Sequence, residues 1–340
     1  MCIRDRPETD PSDLIRLRDG IYATDLLVTA IGHLDFFTEI SKYQLDFNKL
    51  CYHFKIDERC ADVMLTYFVS LGLISIDKGI CYVTTKASEF LLTTSNWSLK
   101  PYFSTQLERP IIEKMLNALK TGEPQSWGGK KDEQDWTKAM EKTEFASMFT
   151  AGMDSRGAYF APGIANKFDF RKYKSIIDIG GASGIYAASI IEHFSNLTGG
   201  VLEKSPVDKI AEISIAQKGK QNSIKIYEGD MFQSIPRGFD IHLFSHVMHD
   251  WNIEQNTILI SNSFDSLNTG GVIMIHDAHI NPDKTGPLSV AEYSILLMFS
   301  TYGKCYSVSE LGEIMESVGF VDIKEIKTIG NRSIIIGQKK

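Results

Sequence analysis

The chain is poor in cysteine and proline, with 5 and 10 respectively among 340 residues. Cys2, Cys51, Cys60, Cys81 and Cys305 are odd in number and widely spread, with no C-x-x-C pair. Nothing therefore points to a disulfide framework or a zinc site, and a reducing, cytoplasmic setting fits best. No apolar run approaches the roughly 18 residues of a membrane span. Residues 1–6, Met-Cys-Ile-Arg-Asp-Arg, lack the apolar stretch of a secretion signal and share no pattern with the remainder of the chain, so residues 1–10 are expected to be a non-native or disordered start. Positive charge is not in excess either: 36 Lys and Arg stand against 43 Asp and Glu, a net charge of −7, which leaves no overall footprint for nucleic acid. What remains, 43% apolar and 23% charged residues, is the make-up of an ordinary globular chain long enough for two domains.

From Leu14 to Phe37 apolar residues recur at helical spacing through Leu17, Ile21, Leu26, Ala30, Ile31 and Leu34, as in one or two amphipathic helices. Further helical patterns run around Phe47–Phe54 and Ala61–Leu71. Asp77-Lys78-Gly79 then separates two short alternating runs, which predicts a β-hairpin. Helix, helix and hairpin make a winged-helix pattern. Its charges cancel between Ser41 and Ser95: Lys42, Lys49, Lys55, Arg59, Lys78 and Lys86 face Asp46, Asp57, Glu58, Asp62, Asp77 and Glu89. A neutral module supplies little of the phosphate neutralisation that drives duplex binding, so packing or dimerisation is the preferred role over DNA recognition. The stretch Thr121 to Trp136 reads as a loop, and Thr137 to Phe149 returns to helical spacing. From Lys174 onward short β-rich runs alternate with helical segments: Ser175–Ile179, Gly200–Glu203, Ile224–Glu228, Phe239–Phe244 and Val272–His276. That rhythm predicts a parallel, doubly wound sheet, whose ligands sit beyond the carboxyl ends of its strands.

Directly after the first run, Asp178-Ile179-Gly180-Gly181-Ala182-Ser183-Gly184 opens a helix near Ile185. Such a glycine turn is shared by nicotinamide, flavin and S-adenosylmethionine (SAM) sites. The dinucleotide spacing G-x-G-x-x-G fails in either register, because Ala182 and Ser183 stand where the second glycine belongs. Asp178 would sit badly beside a pyrophosphate and suits the ammonium of a methionine moiety, which tilts the balance to SAM. Glu203 ends the second run, where a carboxylate can accept both ribose hydroxyls. Asp230, in Gly229-Asp230-Met231-Phe232, follows the third, where it can accept an adenine amine with Met231 over the ring. Singly, either acid is compatible with an ordinary strand end; in order, the three strand ends make a set.

The fourth run leads into Ser245-His246-Val247-Met248-His249-Asp250-Trp251-Asn252. Asn252 with Gln255 resembles a capping box, so a helix is expected from Ile253, leaving His249 in the preceding loop facing the crevice. A phenol is a poor nucleophile at neutral pH, and a histidine can take its proton as the oxygen attacks the sulfonium methyl. His249 is thus the candidate general base, with Asp277, after the fifth run, or the adjacent Asp250 as its orienter. Five of the eight histidines, His242, His246, His249, His276 and His279, fall in this region, but their spacing matches no common zinc motif, and no metal is expected. His246 reads as structural. Phe149, Met153, Met298 and Phe299 are candidates for an acceptor pocket, with core packing as the alternative.

Together these residues resemble the plant-type, SAM-dependent O-methyltransferase family, which includes caffeic acid and acetylserotonin O-methyltransferases and bacterial enzymes acting on polyketides and carotenoids. The likeness runs from about Asp13 to Lys340 and rests on Asp178-Ile-Gly-Gly-Ala-Ser-Gly, Gly229-Asp-Met-Phe, His249-Asp-Trp and Ser317-Val-Gly-Phe. It implies an α/β fold: a Rossmann-like SAM-binding catalytic domain over 171–340, an all-helical winged-helix dimerisation domain over 11–95, and a helical connector over 96–170 that contributes to the acceptor pocket. It implies an intertwined homodimer in which each winged helix covers the partner's pocket, and methyl transfer from SAM to a hydroxyl of a small aromatic or polyketide-like acceptor without metal, yielding S-adenosylhomocysteine. Asp178, Gly180, Gly181, Gly184, Glu203, Asp230, Met231, Phe232 and Ser245 are the cofactor-binding candidates, and His249, Asp277 and Asp250 the catalytic ones. Three positions depart from the family pattern: Glu203-Lys204-Ser205 replaces Asp-Leu-Pro, Ser245 replaces a frequent lysine, and Gly303-Lys304-Cys305-Tyr306 lacks the second acid that flanks the histidine. Transfer to carbon or nitrogen, or a SAM-assisted reaction without transfer, therefore stays in view; a SAM-sensing winged-helix regulator and a dehydrogenase rank behind.

Overall fold

The computed structural model describes residues 7–125 and 136–340. The sequence reading of residues 1–6, and of the central part of the expected loop at 121–136, lies outside the described residues. In chain order the elements are α1 (Ser12–Asp19), α2 (Ala23–Gly32), α3 (Phe36–Lys42), β1 (Leu45–Asp46), α4 (Phe47–Phe54), α5 (Glu58–Ser70), β2 (Ile74–Asp77), β3 (Ile80–Val83), α6 (Thr85–Phe90), α7 (Lys100–Ser104) and α8 (Pro110–Thr121). After them come α9 (Trp136–Ala139), α10 (Thr143–Ala165), β4 (Ser175–Ile179), α11 (Ile185–His193), β5 (Thr198–Glu203), α12 (Val207–Gln217), β6 (Ile224–Glu228) and β7 (Ile241–Ser245). The chain ends with α13 (Ile253–Ser266), β8 (Val272–Asp277), α14 (Leu288–Ser300), α15 (Val308–Val318), β9 (Val321–Lys327) and β10 (Ser333–Gln338).

Two units result. One holds residues 11–125 together with Ile280–Cys305; the other holds residues 7–10, Trp136–His279 and Tyr306–Lys340. This division departs from the expected boundaries at 95 and 170, and a late segment returns to the N-terminal unit. The cause is packing. Helix α14 buries Val290, Ala291, Tyr293, Ile295, Leu297, Met298 and Phe299, so it has no solvent face to present and needs neighbours on all sides. In the N-terminal unit Phe299 packs on Tyr22 with ring centroids 4.5 Å apart. The Arg59 guanidinium of α5 donates to the carbonyls of Gly303 at 2.8 Å, Met298 at 3.3 Å and Gly122 at 2.6 Å. Asp62 accepts from Lys304 at 2.5 Å and Lys284 at 3.2 Å. A hydropathy pattern that suits either unit could not show which one α14 would join.

The N-terminal unit carries the winged-helix order. Asp46 caps α4 by accepting from Lys49 N–H, and Asp57 caps α5 by accepting from Cys60 N–H. The hairpin turns at Lys78 and Gly79, both with positive φ (49° and 79°), the conformation a two-residue hairpin needs. With β1 the hairpin forms a three-stranded antiparallel sheet ordered β1-β3-β2, so this unit is not all-helical.

The larger unit is built on a seven-stranded sheet in the order β6-β5-β4-β7-β8-β10-β9. The first five of these pair in parallel. The last two were not anticipated: β10 runs antiparallel to both β8 and β9, so the sheet is mixed rather than wholly parallel. The core under this sheet includes Ile177, Ile179, Phe244, Ile260, Ile275, Met315 and Phe320. Among the described residues no helix is long and apolar enough to cross a membrane. Replacing Arg59 with Ala strands three carbonyls in the N-terminal unit; because charge-assisted hydrogen bonds are each worth roughly 1.5–3 kcal/mol, Arg59→Ala is expected to lower unfolding free energy by about 2–3 kcal/mol, measured by urea denaturation.

Candidate active site

Strand order places the ends of β4, β5, β6, β7 and β8 along one edge of the larger unit, and the candidate residues sit there. At the end of β4 the chain turns through Gly180 and Gly184, with φ of 66° and 75°. A Cβ on Gly181 would lie 2.5 Å from Cγ of Asp178, so only glycine lets the backbone pass that carboxylate. Asp178 is fully buried. Its Oδ2 accepts from Ala187 N–H at 3.3 Å, while Oδ1 has no hydrogen-bond partner among the described residues. Burial pushes its carboxyl up to about 7, and the backbone donor only partly offsets this. Glu203, at the end of β5, accepts from Ala182 N–H at 2.7 Å and Lys204 N–H at 3.2 Å, and desolvation raises it to about 7 as well.

Asp230, beyond β6, accepts from Phe232 N–H at 2.9 Å and pairs with Lys204 Nζ at 3.1 Å. Asn262 of α13 donates to the carbonyls of Met231 and Phe232 at 2.9 and 3.0 Å, which fixes that loop. Phe232 meets Trp251 edge to face, centroids 4.7 Å apart. Met231 Sδ lies 3.7 Å from where a Cβ on Gly180 would stand. Ser245, the last residue of β7, is buried, and its Oγ has no hydrogen-bond partner among the described residues.

His249 does not sit in an open loop. It lies in a short 3₁₀ turn, Met248–Asp250, and is buried. The following helix is capped by Asn252 with Gln255, both hydrogen bonds of the capping box being present. Nδ1 of His249 is 2.7 Å from Asp277 Oδ1, and its Nε2 is 3.7 Å from Asp250 Oδ1. Burial disfavours the imidazolium, but the two carboxylates outweigh it and raise His249 above 6.5. Burial would likewise raise Asp277, yet His249 and His246 hold it well below the ordinary carboxylate range. The two shifts run in opposite directions, as expected of an imidazole and a carboxylate in contact. Asp250 is pushed up to about 6, chiefly by burial. Donor atoms of His246, His249 and Asp277 all lie within 4.8 Å of one another, but Asp277 Oδ1 also accepts Ala278 N–H at 2.8 Å and is saturated as a hydrogen-bond hub.

Of the acceptor-pocket candidates, Phe149 and Met153 lie half-buried on α10 in this unit. Phe149 stacks on Phe145 and tilts against Trp136, which in turn meets Trp251 at 5.8 Å. Met298 and Phe299 belong to the other unit, where they are buried in α14. Sequence reading missed Arg156, whose Nη2 donates to Met153 Sδ at 3.4 Å and whose charge is felt by His249 and Asp250. It also missed Tyr306, whose hydroxyl donates to Trp251 O at 2.6 Å and props the turn after His249. Helical spacing from Met153 to Arg156 was the available signal for the first; nothing local marks the second.

A family model described as an O-methyltransferase domain matches residues 114–321. The chain is 25% identical over 97% of its length, and 97% of the relative's, to the 8-O-methyl transferase of tetracenomycin polyketide synthesis from Streptomyces glaucescens. Among solved structures, an O-methyltransferase family 2 protein from Planctomyces limnophilus in complex with apigenin is 26% identical with a TM-score of 0.87, covering 99% of this chain and 98% of that one. Human N-acetylserotonin methyltransferase in complex with SAM, 20% identical with a TM-score of 0.62 over 98% and 99% of the two chains, shares the fold.

Because Asp178 goes from an ordinary 3.8 when unfolded to about 7 when folded, the folded state holds its proton more tightly, and this group's contribution to stability declines as pH rises from about 4 through 7. Asp178→Asn removes that decline. The ligand-free variant is expected to have a higher urea midpoint than the parent at pH 8, with the difference shrinking toward pH 4.

Proposed function

Because the chain belongs to the O-methyltransferase family and is a SAM-dependent enzyme of that kind, we propose that it methylates a hydroxyl of an aromatic or polyketide-like acceptor with His249 as general base. The observation that carries this reading is the His249 imidazole, buried and held by Asp277 at 2.7 Å. The cofactor edge fits SAM on its own chemistry. An unpartnered, buried Asp178 oxygen suits an ammonium, the Gly180–Gly181 backbone leaves room that a Cβ would fill, and Glu203 and Asp230 supply acceptors for hydroxyl and amine groups. In this reading Gly184, Met231, Phe232 and Ser245 complete the cradle. When bound, SAM supplies a methyl group activated by its sulfonium charge.

The chain's own residues do the rest. Asp277 fixes Nδ1 of His249 as the protonated nitrogen, which leaves Nε2 to take the proton of an acceptor hydroxyl. Asp277 and Asp250 then stabilise the imidazolium that forms. Phe149, Met153, Trp136 and Trp251 offer an apolar wall on which an aromatic ring can be held in line, so that proximity supplies much of the acceleration. The segment Gly303-Lys304-Cys305-Tyr306 holds no acid, so in this reading orientation of the base rests on Asp277 and Asp250. The N-terminal unit exposes Leu14, Leu17, Trp97 and Tyr102, each at least 66% accessible, which supports the homodimer that the resemblance implies. Light scattering at twice the chain mass is the expected result.

His249→Ala is expected to lower kcat by about 10²- to 10⁴-fold toward a phenol or aromatic polyketide while SAM affinity by calorimetry stays within about twofold. Wild-type turnover by this variant would end the assignment. Since His249 is raised above 6.5 and must be neutral to accept a proton, kcat/KM should climb with pH through a midpoint above 6.5. Mass and methyl position of the product separate oxygen from carbon or nitrogen transfer.

A further inference from the structure

Helix α10 carries Phe149, Met153, Arg156 and Phe160 at helical spacing, which puts all four in one stripe. Both ends of the stripe reach the reaction end of the sheet. Phe149 packs on Trp136, whose ring lies 5.8 Å from that of Trp251, just beyond His249, and Phe160 lies 5.9 Å from the His246 ring. An adjacent face of the helix is fastened to the glycine turn: Asp154 accepts from the Ser183 hydroxyl, and a Cβ on Gly157 would stand 2.8 Å from Cγ2 of Ile185. The stripe is thereby held toward the strand ends. Three of its members are apolar, and Arg156 is its one charge. This side chain is half-buried, and its Nη2 donates to Met153 Sδ at 3.4 Å, a weak acceptor for a guanidinium. Behind burial and the two carboxylates, its cation also acts on His249, where it disfavours the imidazolium. A fixed positive charge beside a base is a cost to proton transfer, and an acceptor that brings a second oxygen to it would offset that cost.

We propose that Arg156 determines acceptor specificity by binding an oxygen next to the hydroxyl that is methylated, so that the preferred acceptors are phenols with a carbonyl or carboxylate ortho or peri to that hydroxyl. The proposal rests on reading the chain as a methyltransferase with His249 as base. The attacking oxygen belongs to Nε2 of His249, which must take its proton, so the guanidinium serves the neighbouring one. In such phenols the hydroxyl is tied in an internal hydrogen bond to that neighbour, which withholds its proton from a base. A guanidinium that takes the neighbouring oxygen replaces the hydroxyl with charge-assisted donors. The hydroxyl is then released to turn its proton to His249. Five donors in one planar fork let Arg156 hold to the protein and meet an oxygen at once. A phenol without the second oxygen has only the wall of Phe149, Met153 and Trp136 to hold it, and brings nothing to offset the cation.

Salicylate, phenol and para-hydroxybenzoate are the probes: the first has a carboxylate beside the hydroxyl, and the third carries the same charge across the ring. Calorimetry on the protein loaded with S-adenosylhomocysteine reads their dissociation constants, and mass spectrometry identifies the methylated product. Salicylate is expected to bind the unaltered protein about 10- to 100-fold more tightly than phenol, and at least about 10-fold more tightly than para-hydroxybenzoate, with the ether as product. In Arg156→Met the salicylate-to-phenol ratio is expected to fall to within about threefold, and in Arg156→Lys to an intermediate value, because the charge stays and the fork is lost. Salicylate binding no tighter than phenol on the unaltered protein, weak binding of both included, would overturn the proposal without any variant having to fold. So would an unchanged ratio in Arg156→Met, equal affinity for salicylate and para-hydroxybenzoate, or a methyl ester in place of the ether. Full turnover by His249→Ala with an intact salicylate preference would end the base assignment and leave the role of Arg156 supported.

Discussion

Oδ1 of Asp277 accepts from Ala278 N–H at 2.8 Å and from His249 Nδ1 at 2.7 Å, with His246 Nδ1 at 3.3 Å, and the reaction end of the sheet is organised about it. Asp277 is the last residue of β8, paired across to Ser333 of β10, so backbone ladders on both sides of the strand set its position. The carboxylate is therefore ordered by the fold itself. Rigid elements place it, and it places the imidazole, which is the arrangement that the proton transfer proposed for His249 would require.

Holding these charges inside the protein is costly. Asp178, Glu203, Asp250 and Asp277 all lie along one edge, and burial pushes each carboxyl upward, with a net rise for the first three. Only Asp277 has partners strong enough to stay ionised well below its ordinary range. Among the described residues Asp178 and Glu203 have only backbone N–H donors, and Asp250 faces His249 Nε2 at 3.7 Å. Buried carboxyls pushed upward along one edge match the proposal of a cofactor site there, since such clusters recur at functional sites.

Much of this was readable along the chain, because each signal was local. Alternating and continuous apolar runs marked β4 to β8 to within a few residues; the Lys78-Gly79 turn and the Asn252–Gln255 cap declared themselves by residue type. Glycines at 180, 181 and 184 met the need to turn tightly after a strand. His249 and Asp277 could be paired on paper, since strand ends in a parallel sheet lie side by side. Other features left no local trace. The pattern of β10, three consecutive isoleucines buried on both faces, does not say that it inserts antiparallel between β8 and β9. The left-handed φ of His246 is likewise invisible in composition.

The order of elements, the glycine turn, and the places of the three strand-end acids and of the histidine beyond β7 could be read from the amino-acid sequence, because each depends on residue type and spacing within a single strand, turn or helix. Folding in three dimensions settled the rest. Helix α14, and Met298 and Phe299 with it, joined the N-terminal unit through Tyr22 and the Arg59 and Asp62 contacts. Arg156 came into electrostatic range of His249, and Tyr306 came to brace Trp251. These outcomes turn on which of several apolar faces and buried polar groups find one another, and such pairings are decided by close packing between distant segments, about which the local pattern is silent.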